Sequence, residues 1–217
     1  MDWESRKYFW LGALAVVTVL LAYMALQANR IAVEAVARQR TQPPPMDTNS
    51  VYAAAADAGR ELLGTTPPEW TASFWFNSPP LTLESLRGKV VLVRWWTAPD
   101  CPYCRASAPA LNEFWENYRV RGLVMVGMYH HKTDTPLSRQ HVQQAMEEFG
   151  FKFPVAVDQD WTTLRRWWLA GDEKRWTSVT FLLDREGVIR HIHPGGSYFK
   201  GEPGYDALRA RLEDLLK

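Results

Sequence analysis

The hydrophobic pattern divides the chain into three stretches. Tyr8 to Gln27 carries no charged residue and is dominated by Leu, Ala and Val. As a helix at 1.5 Å per residue it is long enough to cross the roughly 30 Å hydrocarbon layer of a bilayer. The pattern predicts a seven-residue cytoplasmic tail and a transmembrane signal anchor over 8–28. A cleaved signal peptide is the competing reading, but such peptides have apolar cores of about 7–15 residues, and no A-x-A site follows closely. From 29 to 66 the chain turns polar. Asn29 to Arg40 can continue as a charged helix, Pro43-Pro44-Pro45 favours an extended spacer, and the alanine-rich Val51 to Leu63 suits a short helix.

From residue 67 onward the periodicity switches between strand and helix. Strand-like runs lie near Glu69–Phe76 and at Val90–Trp96, Leu123–Met128, Phe153–Val157, Val179–Leu183 and Val188–His193. Helical spacing appears from Pro102 to about Tyr118, where Leu111, Phe114, Trp115 and Tyr118 share a face, from Thr133-Asp134-Thr135-Pro136 through Phe149, around Trp161–Leu169, and over Tyr205–Leu216, where Leu208, Leu212 and Leu215 share one side. Strands alternating with helices and ending in a hairpin plus helix imply an α/β domain with a mixed central sheet flanked by helices.

Composition narrows the partners. With 25 basic and 24 acidic residues the net charge is +1, which leaves no electrostatic footprint for nucleic acid. Partners are then recognised by shape. Eleven tryptophans are present, concentrated at Trp70, Trp75, Trp95, Trp96, Trp161, Trp167, Trp168 and Trp176. They suit core and rim packing, or an aromatic surface for an apolar or unfolded partner.

The chemistry centres on the only two cysteines, Cys101 and Cys104, which follow the Val90–Trp96 run as Cys101-Pro102-Tyr103-Cys104. This context reads as strand, tight turn, helix. The first thiol then faces the unsatisfied N–H groups of a helix N-terminus, which stabilise a thiolate, and Pro102 fits the first helical turn. Cys101 is assigned as the attacking thiol and Cys104 as the resolving one. The alternative is half of a zinc site, which needs two more ligands. His191 and His193 are the nearest pair, and nothing in the sequence brings them to the cysteines. No metal is expected, and no cofactor beyond the Cys101–Cys104 disulfide.

Three features together resemble the thioredoxin superfamily, and within it the membrane-anchored TlpA/ResA-like thiol-disulfide oxidoreductases, over about 67–217. They are Leu81 to Val93 leading into the strand and the C-P-Y-C turn, Pro109 eight residues after Cys101, and Thr180-Phe181-Leu182-Leu183-Asp184-Arg185-Glu186-Gly187 before the last hairpin. The helix and strand between about 137 and 157 match the insertion typical of that branch. The resemblance implies a thioredoxin-like fold and exchange with partner-protein disulfides or thiols, with a possible membrane electron donor. It points to reduction of apocytochromes or metalloprotein thiols.

The departures from the family are specific. Members usually carry a cis-proline three residues before the phenylalanine of the later strand. Here Ser178 stands there, after Thr177, and the Thr177–Ser178 peptide is expected to be trans. A buried aspartate usually lies six residues before the first cysteine, where this chain has Trp95. The ResA-like glutamate three residues after the second cysteine is Ser107. Replacement groups for proton transfer are sparse. Asp100 is a turn residue that can modulate Cys101, and its charge would oppose the thiolate. His130 or His131, at the carboxyl end of a parallel strand, can titrate near Cys101 or sit solvated in a loop. His141 reads as a surface residue. A thiol peroxidase, which needs Thr or Ser where Ala98 stands, and a copper-handling thiol protein are the alternative functions. The tail and the disulfide chemistry place the catalytic domain outside the cytosol, extracytoplasmic or periplasmic.

Overall fold

The computed structural model describes residues 3, 18, 20–30, 32, 58–98, 100–134, 136–170 and 176–217. The chain divides into two compact units, 1–42 and 43–217. In the first, residues 20–30 are helical, with Leu20, Leu21, Tyr23, Met24 and Leu26 more than half exposed. Among the described residues no helix is long and apolar enough to cross a membrane, and most of the expected span 8–28 lies outside them.

The second unit holds a six-stranded mixed sheet. Its strands are β1 (Trp75–Phe76), β2 (Val90–Trp96), β3 (Leu123–Tyr129), β4 (Val155–Val157), β5 (Thr180–Leu183) and β6 (Ile189–His193), in the spatial order β1-β4-β3-β2-β5-β6. The pairs β2–β3 and β3–β4 are parallel, while β1–β4, β2–β5 and β5–β6 are antiparallel. The helices are α1 (Pro102–Tyr118), α2 (Arg139–Phe149), α3 (Thr162–Leu164, continued by a π-helical turn over Arg165–Leu169) and α4 (Pro203–Leu215).

Every residue of β2 is buried, as a central strand covered on both faces requires. Alternation assigns the faces. Val90, Leu92 and Trp96 join Cys104, Ala108, Leu111 and Phe114 of α1, together with Tyr205, Leu208 and Leu212 of α4. Val91, Val93 and Trp95 join Trp70, Trp167, Trp168 and Phe181 on the opposite face. Most of the tryptophans therefore build the far core, in keeping with the core-packing reading. Leu215 is only half-buried at its edge, because Tyr205, Leu208, Leu212 and Leu216 form the inner side of the last helix.

Three boundaries move. The second helix starts at Arg139 rather than near Thr133, because the extended Ser138 caps it and accepts a hydrogen bond from His141 N at 3.1 Å. The first strand shrinks to two residues paired with β4. Residues 58–66, expected as linker, belong to the packed unit: Gly64 N donates to Ile189 O, Ile189 N donates to Thr65 O, and Ala58 and Leu62 lie on the far core.

Candidate functional site at the start of the first long helix

The site grows out of the junction of β2 and α1. Cys101, with φ −102° and ψ 96°, is the N-cap of α1, and its Sγ accepts a hydrogen bond from Cys104 N at 3.1 Å. A capping sulfur in this place lies at the positive end of the helix, where negative charge is stabilised. Pro102 occupies the first turn, where its missing N–H leaves nothing unpaired. Cys101 and Cys104 are joined by a disulfide with a Cα–Cα separation of 5.3 Å. Their accessibility differs: Cys101 is partly exposed, while Cys104 is 2% exposed and part of the core under α1. Asp100 is exposed beside the pair.

The loop before β5 forms the opposite wall. The Trp176 ring meets the Tyr103 ring edge-on, with centroids 5.2 Å apart, which brings this loop to the cysteine turn. Trp176 O accepts from Trp168 Nε1 at 2.7 Å, and Gly195 supports the Trp176 ring from below. A Cβ on Gly195 would come within 2.1 Å of Trp176 Cβ, so only glycine permits this approach. Thr177 Oγ1 is 3.0 Å from His130 Nε2. Ser178 is buried, and its carbonyl accepts from Arg94 Nη1.

His130 corrects one expectation. It is fully buried, its ring packed against Trp161, and it touches Thr177. Burial pushes its pKa down to about 3, with further lowering by Lys132 and Arg94. It is therefore a neutral group that holds the loop, and it does not titrate near neutral pH. His131 lies between Tyr129 OH and Thr133 Oγ1, at 3.1 and 3.0 Å. His141 is less exposed than expected, its ring against those of Tyr129 and His131. His191 and His193 lie in β6, and His193 packs against Tyr198 with ring centroids 4.9 Å apart. Burial lowers their pKa values to about 4 and about 3. Among the described residues no group of three or more His, Cys, Asp or Glu side chains could hold a metal ion.

Sequence reasoning missed Arg94. Counting six residues back from Cys101 lands on Trp95, whose side chain points to the far core and donates to Asp158 Oδ2 at 3.2 Å. Arg94, 1% exposed, shares the α1 face of β2 with Leu92 and Trp96. Its guanidinium donates to Ser178 O, Thr180 Oγ1, Gly196 O and Ser107 Oγ, and lies 5.1 Å from the centre of the Tyr198 ring. The available signal was one charged residue inside a seven-residue apolar run.

Comparison with known proteins agrees with this architecture. The Redoxin family model matches residues 77–208. The chain is 30% identical to Protein DipZ of Mycobacterium tuberculosis (strain CDC 1551 / Oshkosh) over 159 residues, 72% of this chain and 21% of DipZ, so it spans about a fifth of that protein. It is 23% identical to the thiol-disulfide oxidoreductase ResA of Bacillus anthracis over 62% of this chain and 70% of ResA. Among solved structures, a thioredoxin-like protein in the oxidized form superimposes with a TM-score of 0.57 at 26% identity, covering 70% of this chain and 95% of the other. The Redoxin family model spans more than half of the chain, on a thioredoxin-like sheet whose central strand leads into a helix capped by a disulfide, so the chain belongs to the Redoxin family.

Proposed function

We propose that the chain is a membrane-tethered reductant of partner-protein disulfides, with Cys101 as nucleophile and Cys104 as resolving thiol. The observation that carries this reading is the asymmetry of the pair: a partly exposed sulfur at a helix N-terminus, joined to a buried one. In the reduced state the Cys101 thiolate attacks a partner disulfide, forming a mixed disulfide and releasing one partner thiolate. Cys104 then attacks Cys101 Sγ, the Cys101–partner bond breaks, and the second partner sulfur leaves reduced. The enzyme disulfide is the product, and a membrane electron donor would have to reduce it for a further cycle.

The uncharged run 8–27 and the exposed apolar side chains of helical residues 20–30 support a tether. A thiol kept available for exchange fits an extracytoplasmic location. Against a thiol peroxidase stands Ala98, where that class needs Thr or Ser.

The test uses the full chain in detergent, reduced and offered a disulfide-bonded protein. Cys104→Ser is expected to accumulate a mixed disulfide visible on a non-reducing gel, and Cys101→Ser to form none. Trapping by Cys101→Ser alone would reverse the roles, and equal trapping by both variants would remove the distinction between them. The absence of any two-electron couple in a redox-buffer titration would remove the exchange reading altogether.

A further inference from the structure

The usual acid–base groups beside the resolving cysteine are replaced by Trp95 and Ser107, yet Cys104 must lose its proton to attack. Arg94 lies at this place. It extends from the centre of β2 on the face that carries Cys104, Ala108 and Leu111, and its Nη2 reaches Ser107 Oγ at 3.5 Å. Ser107 stands three residues after Cys104, less than one helical turn of about 5.4 Å along the axis. Ser107 is itself fully buried and fixed, donating to Tyr103 O at 2.9 Å and accepting from Tyr198 N at 3.2 Å. The same guanidinium also holds Ser178 O and Gly196 O, so one cation joins the cysteine helix, the loop facing it and the C-terminal turn.

We propose, building on the exchange reading above, that Arg94 is a positioning residue of the reaction, whose buried positive charge under the first turns of α1 stabilises the Cys104 thiolate in place of a proton-accepting carboxylate. In the resolving step Cys104 gives its proton to solvent rather than to a protein base. Its thiolate forms the Cys104–Cys101 bond as the Cys101–partner bond breaks, and the departing partner thiolate takes up a proton. No electron source beyond the two sulfur pairs is needed. Among the described residues, His130, His193 and Tyr198 are titratable groups that feel the Arg94 charge, and all three are buried. Burial keeps the two imidazoles and the phenol uncharged at neutral pH, so they do not cancel its field. A charge that stabilises thiolate also favours the dithiol state over the disulfide, so Arg94 raises the reduction potential of the centre.

The experiment compares the full chain in detergent with Arg94→Met and Arg94→Lys. The readouts are the reduction potential and the pH dependence of mixed-disulfide resolution. Arg94→Met is expected to lower the equilibrium constant for reduction by about tenfold, about 30 mV for a two-electron couple, and to move the resolution profile to higher pH. Arg94→Lys, which keeps the charge and loses the planar fork, is expected to stay within about twofold of the parent, about 10 mV. If Lys and Met shift the potential equally, or neither shifts it, the charge is not the agent and the inference falls. Should Arg94→Met not fold, Ser107→Asp, which sets a carboxylate beside the guanidinium, must lower the potential in the same sense, and an unchanged value overturns the proposal. A parent chain with no redox couple would instead defeat the exchange reading, which keeps the two failures distinct.

Discussion

At the scale of single residues, charge state follows burial. His130 and His193 have pKa values near 3 because a protonated ring would be desolvated in the core. In the unfolded chain both titrate near 6.5. Between those values the unfolded state binds more protons, so the stability that neutral burial confers is fully present above about pH 6.5 and is lost as pH falls towards 3. The slope is about 1.4 kcal/mol per pH unit for each ring. Half-buried His191, with a pKa of about 4, adds a third ring over the same window, so urea unfolding at pH 7 and pH 5 is expected to show the loss, and His130→Gln to reduce the slope by about a third. The cysteines were legible at this scale because two thiols three positions apart have few chemical uses. Arg94 was not: a fixed offset from Cys101 presumes the length of the turn after β2, whereas the parity of the strand decides which side chain lies under α1.

At the scale of elements, a few side chains decide where helices begin and which loops stay close. Asp158, at the end of β4, accepts from Thr163 N and Leu164 N at 3.0 and 2.8 Å and from Trp95 Nε1, so one carboxylate caps α3 and anchors the far core to β2. Asp158→Ala would strand these buried donors and is expected to cost about 3 kcal/mol in urea unfolding. Gly195, with φ +134°, underlies Trp176. Gly195→Ala is expected to push the Trp176 ring off Tyr103, costing about 1–3 kcal/mol of stability and slowing exchange with a protein disulfide more than with a small thiol. The central strands and long helices were visible in the sequence because their apolar periods run over most of their length. The start of α2 was not, since Thr133, Asp134 and Ser138 are all competent caps and only the tertiary path of the chain selects Ser138.

For the molecule as a whole, the folded unit reaches further towards the N-terminus than composition indicates. Residues 58–66 read as linker because they follow the Pro-rich spacer and precede Pro67-Pro68, yet two backbone hydrogen bonds to Ile189 bind them to β6. A fragment of 67–217 is therefore expected to melt about 4–8 °C below one of 58–217, as loss of about 2 kcal/mol would produce. Scanning calorimetry of the two fragments checks this. The order of the sheet carries a consequence in time. β2 lies between β3, the next strand along the chain, and β5, whose Thr180 is the register partner of Arg94 86 residues later. During synthesis at about 5–20 residues per second, Cys101 and Cys104 emerge roughly 80 residues and about 4–16 s before β5 is complete. In that interval the two sulfurs belong to an unfinished sheet, and an oxidant met then reacts with bare thiols on a nascent chain.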